Sequence, residues 1–246
     1  MSKPLTIVIP MAGQGSRFVK AGWGTPKPLI TFCGKMMIEH VMDSFPSMQG
    51  VRFVLIVRED FLEDYQNEMK CLIDRENVSI VVAKKITQGA ACSVLLAREY
   101  FKDSSLLVVD SDTFYQKGIL PAFLEKVKEY GFNLGLITFK SDEACYSYIK
   151  LSPAGYLDEI AEKKVISKAA ISGVYYFSDG SEFEKAVIES MVYDEREKGE
   201  FYLSSIFGKV ALKCKQKILL YEVPRDDIFC AGTPQQLEET IKRLAK

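Results

Sequence analysis

The run Leu5-Thr6-Ile7-Val8-Ile9-Pro10-Met11 leads directly into Ala12-Gly13-Gln14-Gly15-Ser16-Arg17-Phe18, a glycine loop. A short, largely apolar run of this kind predicts a strand covered on both faces. Four more runs share the pattern, at 52–57, 78–82, 105–109 and 134–139. Between them, residues 36–45, 60–76, 89–100 and 119–130 carry apolar side chains at helical spacing. This alternation predicts an α/β fold, a mostly parallel sheet with helices on both faces. Ligands of such sheets bind beyond the carboxyl ends of the strands. The loops after Met11, Val82 and Val109 are therefore where chemistry is expected.

The pattern changes near residue 140. Residues 147–151, 156–162 and 170–177 read as antiparallel strands, with Pro153-Ala154-Gly155 as a turn. A helix over 181–190, a charged stretch over 194–200 and a strand over 217–223 follow. Thr233-Pro234-Gln235-Gln236 reads as a helix start, with threonine as N-cap, proline first and a glutamine placed for a capping box. No repeat, low-complexity tract or linker divides the 246 residues. One domain over 1–246 is expected, its first half 1–140 and its second half 141–246 an antiparallel insertion and lid on the same sheet.

A chain of this length buries about 70–75% of its unfolded surface and needs no staples to fold. Apolar residues make up 48% and charged residues 26%, which excludes disordered, collagen-like and coiled-coil chains. Thirty-two basic against thirty-three acidic residues leave a net charge of −1, so no global field draws nucleic acid or an anionic membrane. No apolar run is long enough to span a bilayer, and the N-terminus lacks a signal-peptide layout. The six cysteines form no CxxC pair and read as reduced thiols, mostly in the core, of a cytoplasmic protein. The single histidine, His40, reads as structural and leaves few histidine-based mechanisms. A homo-oligomer stays open.

Glycines at a strand end let backbone N–H groups cradle phosphate oxygens. A dinucleotide fingerprint would need a third glycine at Phe18 and an immediate helix, and a Walker A loop would need Gly-Lys-Ser/Thr. Neither is here, and Gly22, Gly24, Pro26 and Pro28 predict a long open loop. Residues 1–38 hold five cations (Lys3, Arg17, Lys20, Lys27, Lys35) and no carboxylate. Arg17 and Lys27 would offer phosphates a guanidinium fork and a point charge. In Asp110-Ser111-Asp112, strand alternation sends both carboxylates to one side, where they could share a cation such as Mg²⁺; a helix cap or turn is the alternative. In Gln88-Gly89-Ala90-Ala91 the amide suits a nucleobase edge and Gly89 a close backbone approach, although many glutamines merely begin a helix.

Ala-Gly-x-Gly-x-Arg at Ala12–Arg17, followed by Pro26-Lys27-Pro28-Leu29, resembles the signature of the sugar-phosphate nucleotidyltransferases, or nucleoside-diphosphate-sugar pyrophosphorylases. The resemblance is specific in the first 35 residues, good at 88–112 and looser beyond 160. It implies a Rossmann-like mixed sheet and transfer of NMP from an NTP to a phosphorylated small-molecule acceptor, with release of pyrophosphate. It also implies roles. Ala12, Gly13, Gln14, Gly15 and Ser16 would bind the nucleotide with Arg17 on the triphosphate and Lys27 at the α-phosphate. Gln88 and Gly89 would meet the base, Asp110 the nucleoside, and Asp112 a Mg²⁺ ion. On the acceptor side, Glu162 and Lys163 resemble a Glu-Lys-Pro element whose proline is here Lys164. Gly173 resembles the glycine of a Gly-Ile-Tyr-x-Phe strand, and Glu200 that of a Gly-Glu element. Such products usually feed capsule or surface-glycan assembly.

One further mismatch matters more. The aspartate that usually precedes the late Gly-Thr and serves as second metal ligand is Cys230, a poor ligand for hard Mg²⁺. Asp226 or Asp227 could reach in, Asp112 and phosphates could suffice, or catalysis could be weak; the second is preferred. The rival readings are a metal-dependent glycosyltransferase using a nucleotide-sugar and a catalytically silent nucleotide-binding module. The first fits the Asp-Ser-Asp loop but leaves the early cationic loop without a purpose.

Overall fold

Each of the five apolar runs forms a strand in the computed structural model, which describes residues 3–45 and 51–245. In chain order, β1 (Leu5–Pro10) leads through the one-turn helix α1 (Ser16–Lys20) to a small hairpin, β2 (Thr31–Phe32) and β3 (Lys35–Met36). Then come α2 (Met37–Asp43), β4 (Val51–Arg58), α3 (Glu59–Asp64), α4 (Gln66–Ile73) and β5 (Val78–Ala83). Helices α5 (Ala90–Leu95) and α6 (Arg98–Phe101) precede β6 (Ser105–Val109) and the short β7 (Thr113–Tyr115). Next are α7 (Ile119–Glu129), β8 (Leu134–Lys140), β9 (Tyr148–Leu151), β10 (Leu157–Ala161) and β11 (Ala169–Phe177). The chain ends with α8 (Gly180–Val192), α9 (Leu203–Cys214), β12 (Ile218–Glu222), β13 (Ile228–Cys230) and α10 (Pro234–Leu244).

Strands β5, β4, β1 and β6 lie side by side and parallel. Beside β6 runs β11, antiparallel to it and to β8 on its other edge, and β12 pairs parallel with β8. The hairpin of β9 and β10 joins the sheet at Ala170. Strands of the second half thus interleave with those of the first. Alternation sends Ile7, Ile9, Leu55, Val57, Leu107 and Val109 into the core beneath α2, α4, α7 and α10. Val8, Val54, Ile56, Leu106 and Val108 enter the opposite core beneath α5, α6, α8 and α9. Helices cover both faces, as the uninterrupted apolar strands require.

Several expectations change in detail. The helix expected over 60–76 breaks at Tyr65, whose backbone turns out of helical geometry while its hydroxyl donates to Gly24 O at 3.1 Å. The one over 89–100 divides at Leu96–Ala97, where the amides bond back three residues instead of four. Helix α9, the small hairpin and the pairing of β7 with β13 were not expected at all. Thr233 caps α10 as expected, accepting from Gln236 N at 3.1 Å, but the Gln236 amide does not close the box: its Nε2 lies 3.5 Å from the Tyr146 hydroxyl. Only Cys92 and Cys230 are buried, and Cys33, Cys71 and Cys145 are exposed, so the thiols are not mostly in the core. Among the described residues no helix is long and apolar enough to cross a membrane.

Candidate active site

The glycine loop starts where β1 stops. Met11 N still donates to Ile56 O at 3.0 Å, and Gly15 then adopts φ +59° and accepts the first amides of α1 from Phe18 and Val19. A helix does follow the glycines, contrary to the open loop expected, but it lasts five residues because Gly22 turns the chain at φ +85°. Buried Phe18 anchors it. A side chain at Gly15 would be strained by its φ, and its Cβ would press on Lys27 Cβ at 3.3 Å. The glycine thus lets the loop lie on the stem of Lys27. The turn of 3₁₀ helix Lys27–Leu29, preset by Pro26 and Pro28, holds that lysine in place.

Lys27 Nζ donates to Asp112 Oδ2 at 2.5 Å, with both side chains about four-fifths buried, at 20% exposure. Strand β6 ends at Val109, so Asp110 and Asp112 sit on the loop beyond it; both nevertheless face one cleft. Asp112 is clamped by its backbone, whose carbonyl accepts from Ala231 N at 2.8 Å. Burial pushes the Asp112 carboxyl up, but Lys27, with a smaller contribution from Arg17, outweighs it and holds the group below the usual carboxylate range. Asp110 is pushed the other way, by burial first and then by the charge of Asp112.

Opposite Asp110, β11 bulges. Its pairing with β8 shifts between Ile171 and Tyr175, and Gly173 within the bulge has φ +89°. Asp110 N donates to Gly173 O at 2.9 Å, and a Cβ on Gly173 would stand 2.4 Å from Asp110 Oδ2. The buried Tyr115 hydroxyl donates to Ser172 O at 2.8 Å, and Ser172 Oγ donates to Ile137 O at 2.9 Å, which fixes the bulge from beneath.

The cleft measures about 480 Å³. It brings together Arg17, Lys27, Asp110, Asp112, Lys163 and Gly173 of the expected residues. Ala12 is buried beneath the loop, Gly13, Gln14 and Ser16 are exposed on it, and Gly15 is half-buried. Glu162 is buried and held by protein groups: Oε2 accepts from Ser147 Oγ and from Ser204 Oγ (2.8 Å), and Oε1 is 3.5 Å from Lys163 Nζ. Lys163 Nζ donates to the Tyr202 hydroxyl at 3.1 Å and lies 4.6 Å from that ring's centre. Burial lowers the Lys163 ammonium, but the bond to Tyr202 and the charge of Glu162 raise it further.

Three more of the expected residues stand outside the cleft lining. Glu200 is exposed and outside the cleft lining, and its backbone closes a tight turn with Glu197. Gly89 is needed against protein, since a Cβ there would collide with the Phe201 backbone at 2.5 Å. Gln88, exposed, spends its Oε1 on Arg196 Nη2 at 2.8 Å. Sequence reasoning missed Phe139, Tyr146, Tyr202 and Gln236 in the lining. Tyr202 stands two residues past the charged stretch that ends at Glu200. Nothing in the local pattern marks the other three.

Asp226 and Asp227 do not reach in: Asp226 is exposed, and neither lines the cleft. Cys230 does line it, opposite Thr113 in the β13–β7 pair, and burial pushes its thiol up to about 11. Among the described residues, no three His, Cys, Asp or Glu side chains cluster as a metal site. The donors available are the two loop carboxylates. These hard oxygens suit Mg²⁺, which takes one or two carboxylates and completes its shell with phosphates and water.

The family model described as nucleotidyl transferase matches residues 6–223. The bifunctional protein GlmU of Methanococcus vannielii is 26% identical over 211 residues, covering 82% of this chain and 47% of that protein. GlmU of Bacillus cereus strain AH187 is 26% identical over 210 residues, 81% of this chain and 43% of its own. The chain thus spans about half the length of the curated relatives it matches. Among solved structures, the nucleoside-diphosphate-sugar pyrophosphorylase of Vibrio cholerae RC9 superposes with a TM-score of 0.81 at 25% identity, covering 96% of this chain and 99% of that one. The inositol-1-phosphate CTP transferase of T. maritima shares the fold, with a TM-score of 0.76 at 18% identity and coverage of 100% and 98%.

Proposed function

The chain belongs to the nucleotidyl transferase family, and on that premise we propose that it moves a nucleoside monophosphate from an NTP to a phosphorylated small-molecule acceptor, releasing pyrophosphate. The acceptor is a sugar phosphate or a similar metabolite. The observation that carries this reading is a glycine loop folded onto the stem of a lysine whose ammonium meets Asp112, with Arg17 in the same cleft. Residues 1–246 would act as one nucleotidyltransferase domain, the first half holding nucleotide and the second the acceptor. A cytoplasmic setting and a role in precursor synthesis for capsule or surface glycans fit this chemistry.

The acceptor phosphate is an anion before it arrives, so its oxygen can attack the α-phosphorus in line without a general base. The placement of the only histidine fits that economy. His40 stacks between Phe32 and Phe114, with Nε2 3.0 Å from Phe32 O. Loop amides and Arg17 would hold the β- and γ-phosphates, and Lys27 would exchange Asp112 for an α-phosphate oxygen as charge builds there. Lys163, steadied by Glu162 and the Tyr202 ring, would take the acceptor phosphate. Mg²⁺ would be held by Asp112 with Asp110 beside it, and when bound it would neutralise triphosphate charge. Positioning and charge neutralisation carry the rate in such a site.

The test is pyrophosphate release with Mg²⁺, crossing CTP, UTP, GTP, ATP and dTTP with a panel of phosphorylated acceptors. A signal requiring one NTP and one acceptor would establish the transfer and name both substrates. NTP binding without turnover on any acceptor would favour the silent nucleotide-binding module, which the thiol at Cys230 motivates. No NTP binding would end the reading.

A further inference from the structure

Two carboxylates line the cleft, and an amide oxygen faces one of them. Gln236 stands in the first turn of α10, where its N–H donates to Thr233 Oγ1 at 3.1 Å. That helix is fixed to the strand before it. Thr240 Oγ1 donates to Cys230 O at 2.7 Å, Arg243 Nη1 donates to Ile228 O at 2.8 Å, and Leu237 is buried. The side-chain amide is oriented too. Its Nε2 lies 3.5 Å from the Tyr146 hydroxyl, and the Tyr146 ring packs edge-on against Phe139 with centres 5.0 Å apart. Oε1, the other end of the amide, turns toward Asp112. Among the described residues no donor reaches that oxygen.

Gly232 shows how the two oxygens stand. A Cβ on that glycine would lie 3.1 Å from Asp112 Oδ2 and 3.1 Å from Gln236 Oε1. The oxygens therefore flank one small space, no more than twice that distance apart, and the missing side chain leaves it open. Asp112, Gly232 and Gln236 all line the cleft. Two acceptor oxygens facing one space, one of them charged, favour a cation there. Asp112 Oδ2 already holds one, the Lys27 ammonium at 2.5 Å. An amide carbonyl is a hard, neutral donor of the kind Mg²⁺ and Mn²⁺ accept, whereas the neighbouring thiol of Cys230 is a soft one.

We propose that Gln236 is a ligand of the divalent cation: Oε1 serves beside Asp112 as the neutral hard oxygen that Cys230 cannot supply. The inference deepens the nucleotidyl-transfer reading and rests on its Mg²⁺. In that transfer Lys27 leaves Oδ2 for phosphate, which gives both oxygens over to the cation. A neutral ligand adds no repulsion to a cleft that already holds two carboxylates and must admit a triphosphate.

The experiment counts bound Mn²⁺, standing in for Mg²⁺, by electron paramagnetic resonance on the parent protein, Gln236→Met and Gly232→Ala. It runs in two settings. One is wild-type background with whichever of the five NTPs equilibrium dialysis shows to bind. The other is nucleotide-free protein carrying Lys27→Met, which bares Asp112 Oδ2. Gln236→Met keeps the length of the side chain and drops the oxygen, so the Mn²⁺ dissociation constant should rise at least about tenfold. Gly232→Ala fills the space and should weaken Mn²⁺ severalfold. Glutamine labelled with ¹³C at Cδ should show a hyperfine coupling to Mn²⁺ that Gln236→Met removes, a signature that an amide merely packed nearby does not give. Three outcomes overturn the inference: no Mn²⁺ binding in either setting, no ¹³C coupling to bound Mn²⁺, or a Gln236→Met constant within twofold of its parent. With NTP binding intact, each of them leaves the proposed function standing. Absence of NTP binding by the wild type ends that function, and the nucleotide-free setting then judges the cation site by itself.

Discussion

Gly173→Ala is the substitution whose cost can be worked from both backbone and contact. At φ +89° an alanine is strained by about 1–2 kcal/mol before it meets any neighbour. Its Cβ would then stand 2.4 Å from Oδ2, 2.8 Å from Cγ and 3.0 Å from Cβ of Asp110. A rotamer change of Asp110 relieves the first two contacts but not the third. The strands cannot simply part, because Asp110 N is bonded to Gly173 O at 2.9 Å. Forced overpacking adds about 1–3 kcal/mol, for a total of about 2–5 kcal/mol. In a chain of this size that lowers the melting temperature by about 4–20 °C. The assay is thermal unfolding of wild type, Gly173→Ala, Asp110→Gly and the double variant. Removing the Asp110 side chain deletes the contact and leaves the φ strain, so Gly173→Ala should cost markedly less in the Asp110→Gly background. A melting point for Gly173→Ala within 2 °C of wild type, or strictly additive effects in the cycle, would refute the argument.

Lys27→Met and Arg17→Ala should each lower kcat/KM for nucleotidyl transfer by about 10²–10³, and a loss under twofold in either would remove that residue from the mechanism. Asp110 carries a pH signature. Its folded pKa is raised above the ordinary value of 3.8, so its contribution to stability is present below that value and lost as pH rises toward the folded pKa. In Mg²⁺-free buffer, Asp110→Asn should therefore gain on wild type in melting temperature as pH climbs from about 5 to about 8; a flat difference contradicts the assignment. Glu162→Gln weakens the hold on Lys163, so KM for the acceptor should rise several-fold while KM for the NTP stays put, and a parallel change in both would point to general damage. Cys230→Asp adds a second hard oxygen next to Asp112. Melting should drop without Mg²⁺ and become Mg²⁺-dependent, whereas a melting point indifferent to Mg²⁺ would show that position 230 does not face the metal.

The sheet was legible because buried parallel strands leave long apolar traces; 105–109 reads as five consecutive apolar or small residues and forms β6 over those same residues. The glycine loop and its cations were legible for a related reason. Their chemistry is local in sequence, glycines and cations within one loop between β1 and α2. The rest of the lining draws on β11, α10 and the 194–202 turn, which meet only after the sheet is built. Phe139 and Tyr146 read as ordinary core aromatics along the chain, and Gln236 as a helix-starting residue. Helix α9 escaped because Leu203–Cys214 follows a charged stretch and opens without a capping side chain. Gly89 shows a close approach that the chain order hides: the Phe201 backbone, over a hundred residues on, packs where its Cβ would stand.

The charge arrangement bears on how the proposed transfer would proceed with a thiol at position 230. The cleft sets two carboxylates side by side, which on their own would repel and resist burial. Lys27 offsets one of them at 2.5 Å, so Asp112 stays ionised and keeps its oxygens ready for a cation. In return, Asp112 fixes the lysine in the cleft, where the proposed transfer would need it. A second acidic ligand at position 230 would strengthen the hold on the metal but would also compete for Lys27 whenever nucleotide is absent. The thiol there adds no charge at neutral pH, since burial keeps it protonated. An enzyme built this way should bring its metal in with the triphosphate, and its Mg²⁺ affinity should appear only once an NTP is bound.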